Sequence, residues 1–109
     1  MQISTREAGE VTIVEVDGNV DLSTSAALRR SLFETLVAAP KVALNLAAIR
    51  YIDSSGIAIL IEVLKDAQRL NKKFVLFGLS SAVEQVFRLT HVMRIFQVFD
   101  TEQQATGSG

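Results

Sequence analysis

The sequence predicts one α/β domain: a mixed, mostly parallel β-sheet with helices packed on it. Three observations predict it. The chain has 109 residues, 49% of them apolar, which suits one core and not two, and folding at this size buries about two-thirds of the unfolded chain's surface. Short β-branched runs alternate with stretches of helical period in the order β-β-α-β-α-β-α-β. No internal repeat or low-complexity linker interrupts that order, so residues 1–105 read as the domain and 106–109 as a polar tail.

Residues 3–8 and 11–16 read as two strands, the second because Val11, Ile13 and Glu15 alternate with Thr12, Val14 and Val16 before a turn signal at Asp17-Gly18. They form an antiparallel pair. Ser23 and Thr24 are N-cap residues, and behind them Leu28, Leu32 and Leu36, with Phe33 and Val37, make an i, i+4 stripe that ends before Pro40. Val42, Leu44 and Leu46 form a short β run. Ile49, Tyr51 and Ile52 lead into Asp53-Ser54-Ser55-Gly56, after which the pattern is helical over 57–70. Residues 74–77 are a compact apolar run suited to a buried strand, and Ser81 with Glu84 makes a capping box ahead of Val83, Val86, Phe87 and Thr90. Residues 95–99 are the last β run, and 101–109 read as a short helical turn followed by a frayed Gly-Ser-Gly end. Strand-helix-strand units cross over right-handed, which makes the later strands parallel.

Composition narrows the function classes. Eleven basic and twelve acidic residues give a net charge of −1, and the basic ones come as short pairs, Arg29-Arg30 and Lys72-Lys73, without a stripe. Nucleic acid is therefore not the expected partner. With no cysteine and a single histidine, His91, the chain offers no disulfide framework, thiol nucleophile or metal site, and no cofactor is implied. The apolar run 57–61 is far shorter than the about 18 residues of a membrane span, so the expectation is a cytoplasmic protein without membrane insertion.

The most informative segment is Asp53-Ser54-Ser55-Gly56, at the entry to a helix. There the backbone N–H groups lack internal partners and the dipole end is positive. One reading is a cap: Asp53 or Ser54 takes an orphan N–H, and Gly56 permits close approach to the sheet. The other is that an exposed Ser55 is a phosphoacceptor, where a phosphoryl group adds about −1.5 to −2 charges beside favourable donors. The domain would tolerate that charge, whereas a docked partner would have to desolvate it, and each ~1.4 kcal/mol weakens binding tenfold.

The helix that follows is apolar nearly all round in its first turns. Ile57, Leu60, Ile61, Leu64 and Ala67 form a core-facing stripe, and Ile59 and Val63 fall on a different sector, covered either by neighbouring helices or by a partner.

These segments together resemble the STAS family, specifically bacterial anti-sigma-factor antagonists, over nearly the whole chain. The residues that carry the resemblance are Val20-Asp21-Leu22-Ser23, Leu44-Asn45-Leu46, Tyr51-Ile52-Asp53-Ser54-Ser55-Gly56, the strand from Phe74 to Leu79, Leu89-Thr90 and Ile95-Phe96. The resemblance implies that Ser55 is phosphorylated by a cognate anti-sigma-factor kinase, that the unphosphorylated form binds that kinase and frees the sigma factor, and that a phosphatase resets the cycle. It also implies that Asp21 and Asp53 take part in kinase recognition, with local capping as their other reading. Ser54, Gly56, Ile59 and Val63 are the further residues expected to bind the partner, and the expected state is a monomer or weak dimer. Two positions depart from the family pattern. Asn45 stands where aspartate is common, and His91 where a glycine often follows Leu-Thr, which suggests a turn without the glycine conformation.

Two alternatives belong to other classes. STAS proteins also serve as regulatory subunits of lipid-transport ABC systems, a role that needs the same helix surface without phosphorylation. An enzyme would use Ser54 or Ser55 as nucleophile with His91 as base and Asp53 or Asp21 as orienter, but the chain has no Gly-x-Ser-x-Gly elbow and one histidine, and non-catalytic binding is the expectation.

Overall fold

The computed structural model describes residues 1–107. Strands β1 (Gln2–Ala8) and β2 (Val11–Val20) form the predicted antiparallel pair, with Gln2 opposite Asp17 and Ala8 opposite Val11. Gly9 takes φ 66° in the two-residue turn between them, a left-handed conformation that favours glycine. The remaining elements are α1 (Ser25–Ala38), β3 (Lys41–Asn45), β4 (Ile49–Ile52), α2 (Ser54–Arg69), β5 (Lys73–Phe77), α3 (Ser81–Leu89), β6 (Val98–Phe99) and α4 (Glu102–Gly107).

The sheet order is β1-β2-β3-β5-β6, antiparallel at β1 and parallel across β2, β3, β5 and β6, as the crossover argument requires. β2 is longer than the sequence suggests. Asp17-Gly18 does not end it: Gly18, at φ 121°, sits where the register shifts, and the strand continues to Val20. Its first half pairs with β3, and its second half pairs in parallel with β4, an additional short strand off the main path. The glycine therefore serves a bulge and not a reversal.

Alternation along the strands divides the interior into two layers. Val14, Val16, Val42, Leu44, Phe74 and Leu76 face α1, α2 and α3, meeting Leu28, Leu32, Leu36, Leu60, Val83 and Phe87. Ile13, Ala43, Val75 and Phe77 face the other way and are covered by Ala105 of α4. A strand buried on both faces reads as a continuous apolar run, which is why 74–77 looks as it does.

Several boundaries differ from expectation. Phe33 and Val37 lie outside the α1 core stripe and are exposed, because only Leu28, Leu32 and Leu36 meet the sheet. α1 has Thr24 at its N-cap without a side-chain cap bond; the Thr24 hydroxyl donates to the Asn19 carbonyl and accepts from Asp21 N–H. The α3 cap is Ser80, not Ser81: its hydroxyl accepts from Val83 N–H and donates to the Ile49 carbonyl at 2.7 Å, so β4 selects between two adjacent serines. Only Val98–Phe99 of the run 95–99 is strand; Ile95 closes a turn onto Val92, and Phe96 swings inward to stack on Phe87 at 5.8 Å. His91 does adopt the glycine conformation, at φ 59°, as the residue after the α3 C-cap, with Val92 N–H bonded to the Phe87 carbonyl and His91 N–H to that of Arg88. Thr106 and Gly107 complete the last turn of α4, and the expected fraying of Ser108 and Gly109 lies outside the described residues. Among the described residues no helix is long and apolar enough to cross a membrane.

Candidate functional site at the β2 and β4 ends

Parallel pairing of Val20 with Ile52 makes Asp21 and Asp53 the first residues beyond two neighbouring strands. The two carboxylates thus sit side by side. Asp53 N–H bonds the Val20 carbonyl at 3.2 Å, which closes the ladder and turns the chain into α2.

Each aspartate then does the same thing. Asp53 Oδ1 accepts from Ser55 N–H at 3.0 Å, from Gly56 N–H at 3.3 Å and from the Ser55 hydroxyl at 2.5 Å. Asp21 Oδ1 accepts from Ser23 N–H at 2.9 Å and from the Ser23 hydroxyl at 2.6 Å. The Ser55 hydroxyl, then the backbone donors of the α2 start, hold Asp53 below the ordinary carboxylate range against the opposing effects of desolvation and, to a smaller extent, of Asp21. The Ser23 hydroxyl is the leading cause that lowers Asp21. Among the described residues neither carboxylate has an ion-pair partner, so the corner carries uncompensated negative charge at neutral pH.

Ser54 is exposed, and Ser55, one residue further into the turn, is half-buried. Gly56 is buried for a steric reason: a Cβ there would lie 2.7 Å from Ile52 Cγ1 and 2.8 Å from Val20 Cγ1. The helix backbone rests on the two strand ends, and only glycine allows that approach.

Below the corner, α2 buries Ile57, Leu60, Val63 and Ala67. Val63 is therefore not part of a docking surface; at 0% exposure it belongs to the core under α1 and the sheet, and Ile61 and Leu64 take the flanks assigned to it. Ile59 is half-buried against the same core and keeps part of its surface. Two features escape sequence reasoning. Leu22, beside Asp21, is 81% exposed, an apolar residue set between two polar ones outside any stripe. Asp66 is buried on α2, where it receives Arg29 of α1 at 3.3 Å and Arg69 at 2.9 Å.

Asn45 faces Glu15 across the β2–β3 pair, donating through Nδ2 at 3.3 Å, and its Oδ1 accepts from Ala47 N–H. An aspartate there would face a glutamate, so the departure from the family pattern suits this neighbour. His91 is exposed at the end of α3, and no hydrogen bond joins it to Ser54 or Ser55 among the described residues. The pairing that serine nucleophilic catalysis requires is not assembled. A groove of about 770 Å³ lies at the opposite end of the strands, lined by Gly9, Glu10 and Pro40 among others.

Comparison with known proteins identifies the class of this domain. The family model for the STAS domain matches residues 2–105, and the chain belongs to that family. A protein of Listeria monocytogenes named anti-sigma-B factor antagonist is 25% identical over 109 residues, covering 99% of this chain and 95% of its own. The fold is like that of an anti-sigma factor antagonist from Mycobacterium paratuberculosis, with a TM-score of 0.87 at 21% identity over 96% of this chain and 90% of that one. It is also like that of the Bacillus cell fate determinant SpoIIAA in its phosphorylated form, with a TM-score of 0.70 at 16% identity over 96% of each chain.

Proposed function

We propose that this chain is an anti-sigma-factor antagonist: unphosphorylated, it binds an anti-sigma factor with serine-kinase activity, and phosphorylation of Ser55 releases that partner. The observation that carries the reading is the Ser55 hydroxyl at the mouth of α2, bonded to Asp53 on a half-buried residue. A phosphoryl group there adds charge to a corner already negative, and a partner packed against it would meet a dianion it cannot solvate. The name of the Listeria relative and the phosphorylated form of the Bacillus protein support the same reading.

Asp21, Asp53, Ser54 and the free part of Ile59 form the docking surface with Ser55, and Leu22 joins them. The cycle runs in the cytoplasm, a phosphatase restores the binding form, and the protein acts as a monomer or weak dimer without a catalytic step of its own.

The test is a pull-down of wild type, Ser55→Ala and Ser55→Asp from the host, with mass spectrometry of bait and prey. Ser55→Ala is expected to retain an anti-sigma factor, Ser55→Asp to lose it by at least tenfold, and wild-type bait to carry phosphate on Ser55. Equal capture by all three would rule out the charge switch, and an ABC ATPase as main prey would replace the sigma-factor reading.

A further inference from the structure

The two outer strands of the main sheet differ in length: β6 has two residues and β1 has seven. Shortness protects the first edge from pairing with another chain. β1 has no proline, no lysine and no register shift against β2, the features that usually protect a long edge, and its charges, Arg6 and Glu7, are of opposite sign. It pairs with β2 alone, and Gln2, Ser4, Thr5, Arg6 and Glu7 are exposed.

The turn after β1 determines which backbone groups are left over. Gly9 at φ 66° followed by Glu10 at negative φ is a type II′ turn. A two-residue turn of this kind closes on residues that exchange both N–H···O bonds, which makes Ala8 and Val11 such a pair. Alternation along the antiparallel ladder then bonds Arg6, Ser4 and Gln2 to β2 and turns the N–H and C=O of Ile3, Thr5 and Glu7 outward.

We infer that β1 is an interface between two copies of this chain, paired antiparallel about a two-fold axis at Thr5. An antiparallel register uses the outward groups only where Ile3, Thr5 and Glu7 of one copy face members of the same set in the other. Centred on Thr5, each threonine faces its counterpart, Ile3 faces Glu7, Ser4 faces Arg6 and Gln2 faces Ala8, so the whole of β1 is paired through about six new hydrogen bonds. No like charges are opposed. A register centred on Arg6 sets two guanidinium groups face to face, and one centred on Ser4 leaves Glu7 and Ala8 beyond the paired strands. Arg6 meanwhile keeps its ion pairs to Glu15 and to Glu102 of α4. The contact is the same patch on both copies, so it closes at two chains and builds no fibre. Because Asp17 lies opposite Gln2 and β2 runs on to Val20, each serine corner lies beyond the Gln2 end of its own β1. Antiparallel pairing sends the two corners to opposite ends of the dimer, where both stay open to a partner, and the inference holds whether or not Ser55 is phosphorylated. One strand edge buries less than the about 800 Å² per partner of a stable interface, so the association is weak and concentration-dependent.

Sedimentation equilibrium and cysteine cross-linking test the interface and its register. The mass of the purified chain is expected to rise from one copy toward two between about 10 μM and about 1 mM. Thr5→Pro removes an outward N–H and leaves the β2 ladder intact, so it is expected to weaken the dimer at least tenfold while keeping the circular dichroism of wild type. The chain has no cysteine, so single substitutions report the register without depending on that variant. Paired Thr5 residues have Cα atoms about 5.5 Å apart, within disulfide reach, and Thr5→Cys is expected to cross-link to itself on mild oxidation. The two copies of Glu7 lie about 14 Å apart, so Glu7→Cys is expected to cross-link to itself at least tenfold more slowly and to join readily to Ile3→Cys in a mixture. A one-copy mass at every concentration would overturn the inference, and loss of a pull-down partner by Thr5→Pro in that case would give the edge to another protein's strand. A dimer that Thr5→Pro leaves unchanged, or in which Glu7→Cys cross-links to itself as fast as Thr5→Cys, would place the contact elsewhere and equally overturn it.

Discussion

At Asp53 one carboxylate oxygen gathers the Ser55 hydroxyl and two backbone N–H groups, so capping of α2 and presentation of Ser55 depend on the same atom. The arrangement fixes the sign of a pH dependence. The folded state lowers this carboxyl below its ordinary value of 3.8, so the stabilisation is present above that value and is lost as pH falls through the depressed one. Wild type is therefore expected to exceed Asp53→Asn in urea midpoint near neutrality and to converge with it on acidification. A difference that stays constant through the acid range would contradict this. The tetrapeptide was legible in sequence because cap chemistry uses few residue types at fixed offsets. The exposure of Leu22 and the burial of Asp66 were not, since one depends on where a turn leaves the sheet and the other on two arginines supplied from α1 and from the last turn of α2.

Helix periodicity located α1 and α2 but did not orient them fully. In α1 the Leu28, Leu32 and Leu36 row is unambiguous, and Phe33 and Val37 extend it onto a face left partly exposed, at 36% and 57%. In α2 the apolar surplus allows several core faces, and packing against the sheet chooses the one through Leu60, Val63 and Ala67. Helix ends were harder still. Asn71 and His91 both close helices at positive φ, 58° and 59°, where a side chain costs free energy that glycine avoids. Replacing His91 with glycine is expected to stabilise the fold by about 0.5–1 kcal/mol, the left-handed penalty less the extra chain entropy of glycine. Urea denaturation of His91→Gly beside wild type measures it, and an unchanged or lower midpoint would show that the imidazole has a stabilising contact of its own.

Across the whole molecule, three helices cover one face of the sheet and α4 the other, while the serine corner projects past the strand ends. Modification of that corner should thus leave the interior alone. Ser55→Asp is expected to melt within about 4 °C of wild type, a shift of under about 1 kcal/mol for a domain of this size, alongside the expected tenfold or greater loss of partner capture. A drop of more than about 10 °C would mean that the substitution acts by unfolding the domain. The α/β class and the parallel crossovers followed from element order, because few topologies satisfy it. The second partner of β2 did not, since Gly18 resembles a turn residue until β4 is seen to lie against the strand beyond it.

The offset at Gly18 and Asn19 also governs how the switch could be transplanted. Side chains alternate along a strand, so a slip of one residue between Gly18 and Val20 would leave Asp21 opposite Ile52 and point its acid group elsewhere. Anyone grafting this device onto another scaffold must carry 18–24 and 49–56 together, irregularity included, because a tidied strand would deliver every necessary side chain and separate the two acids.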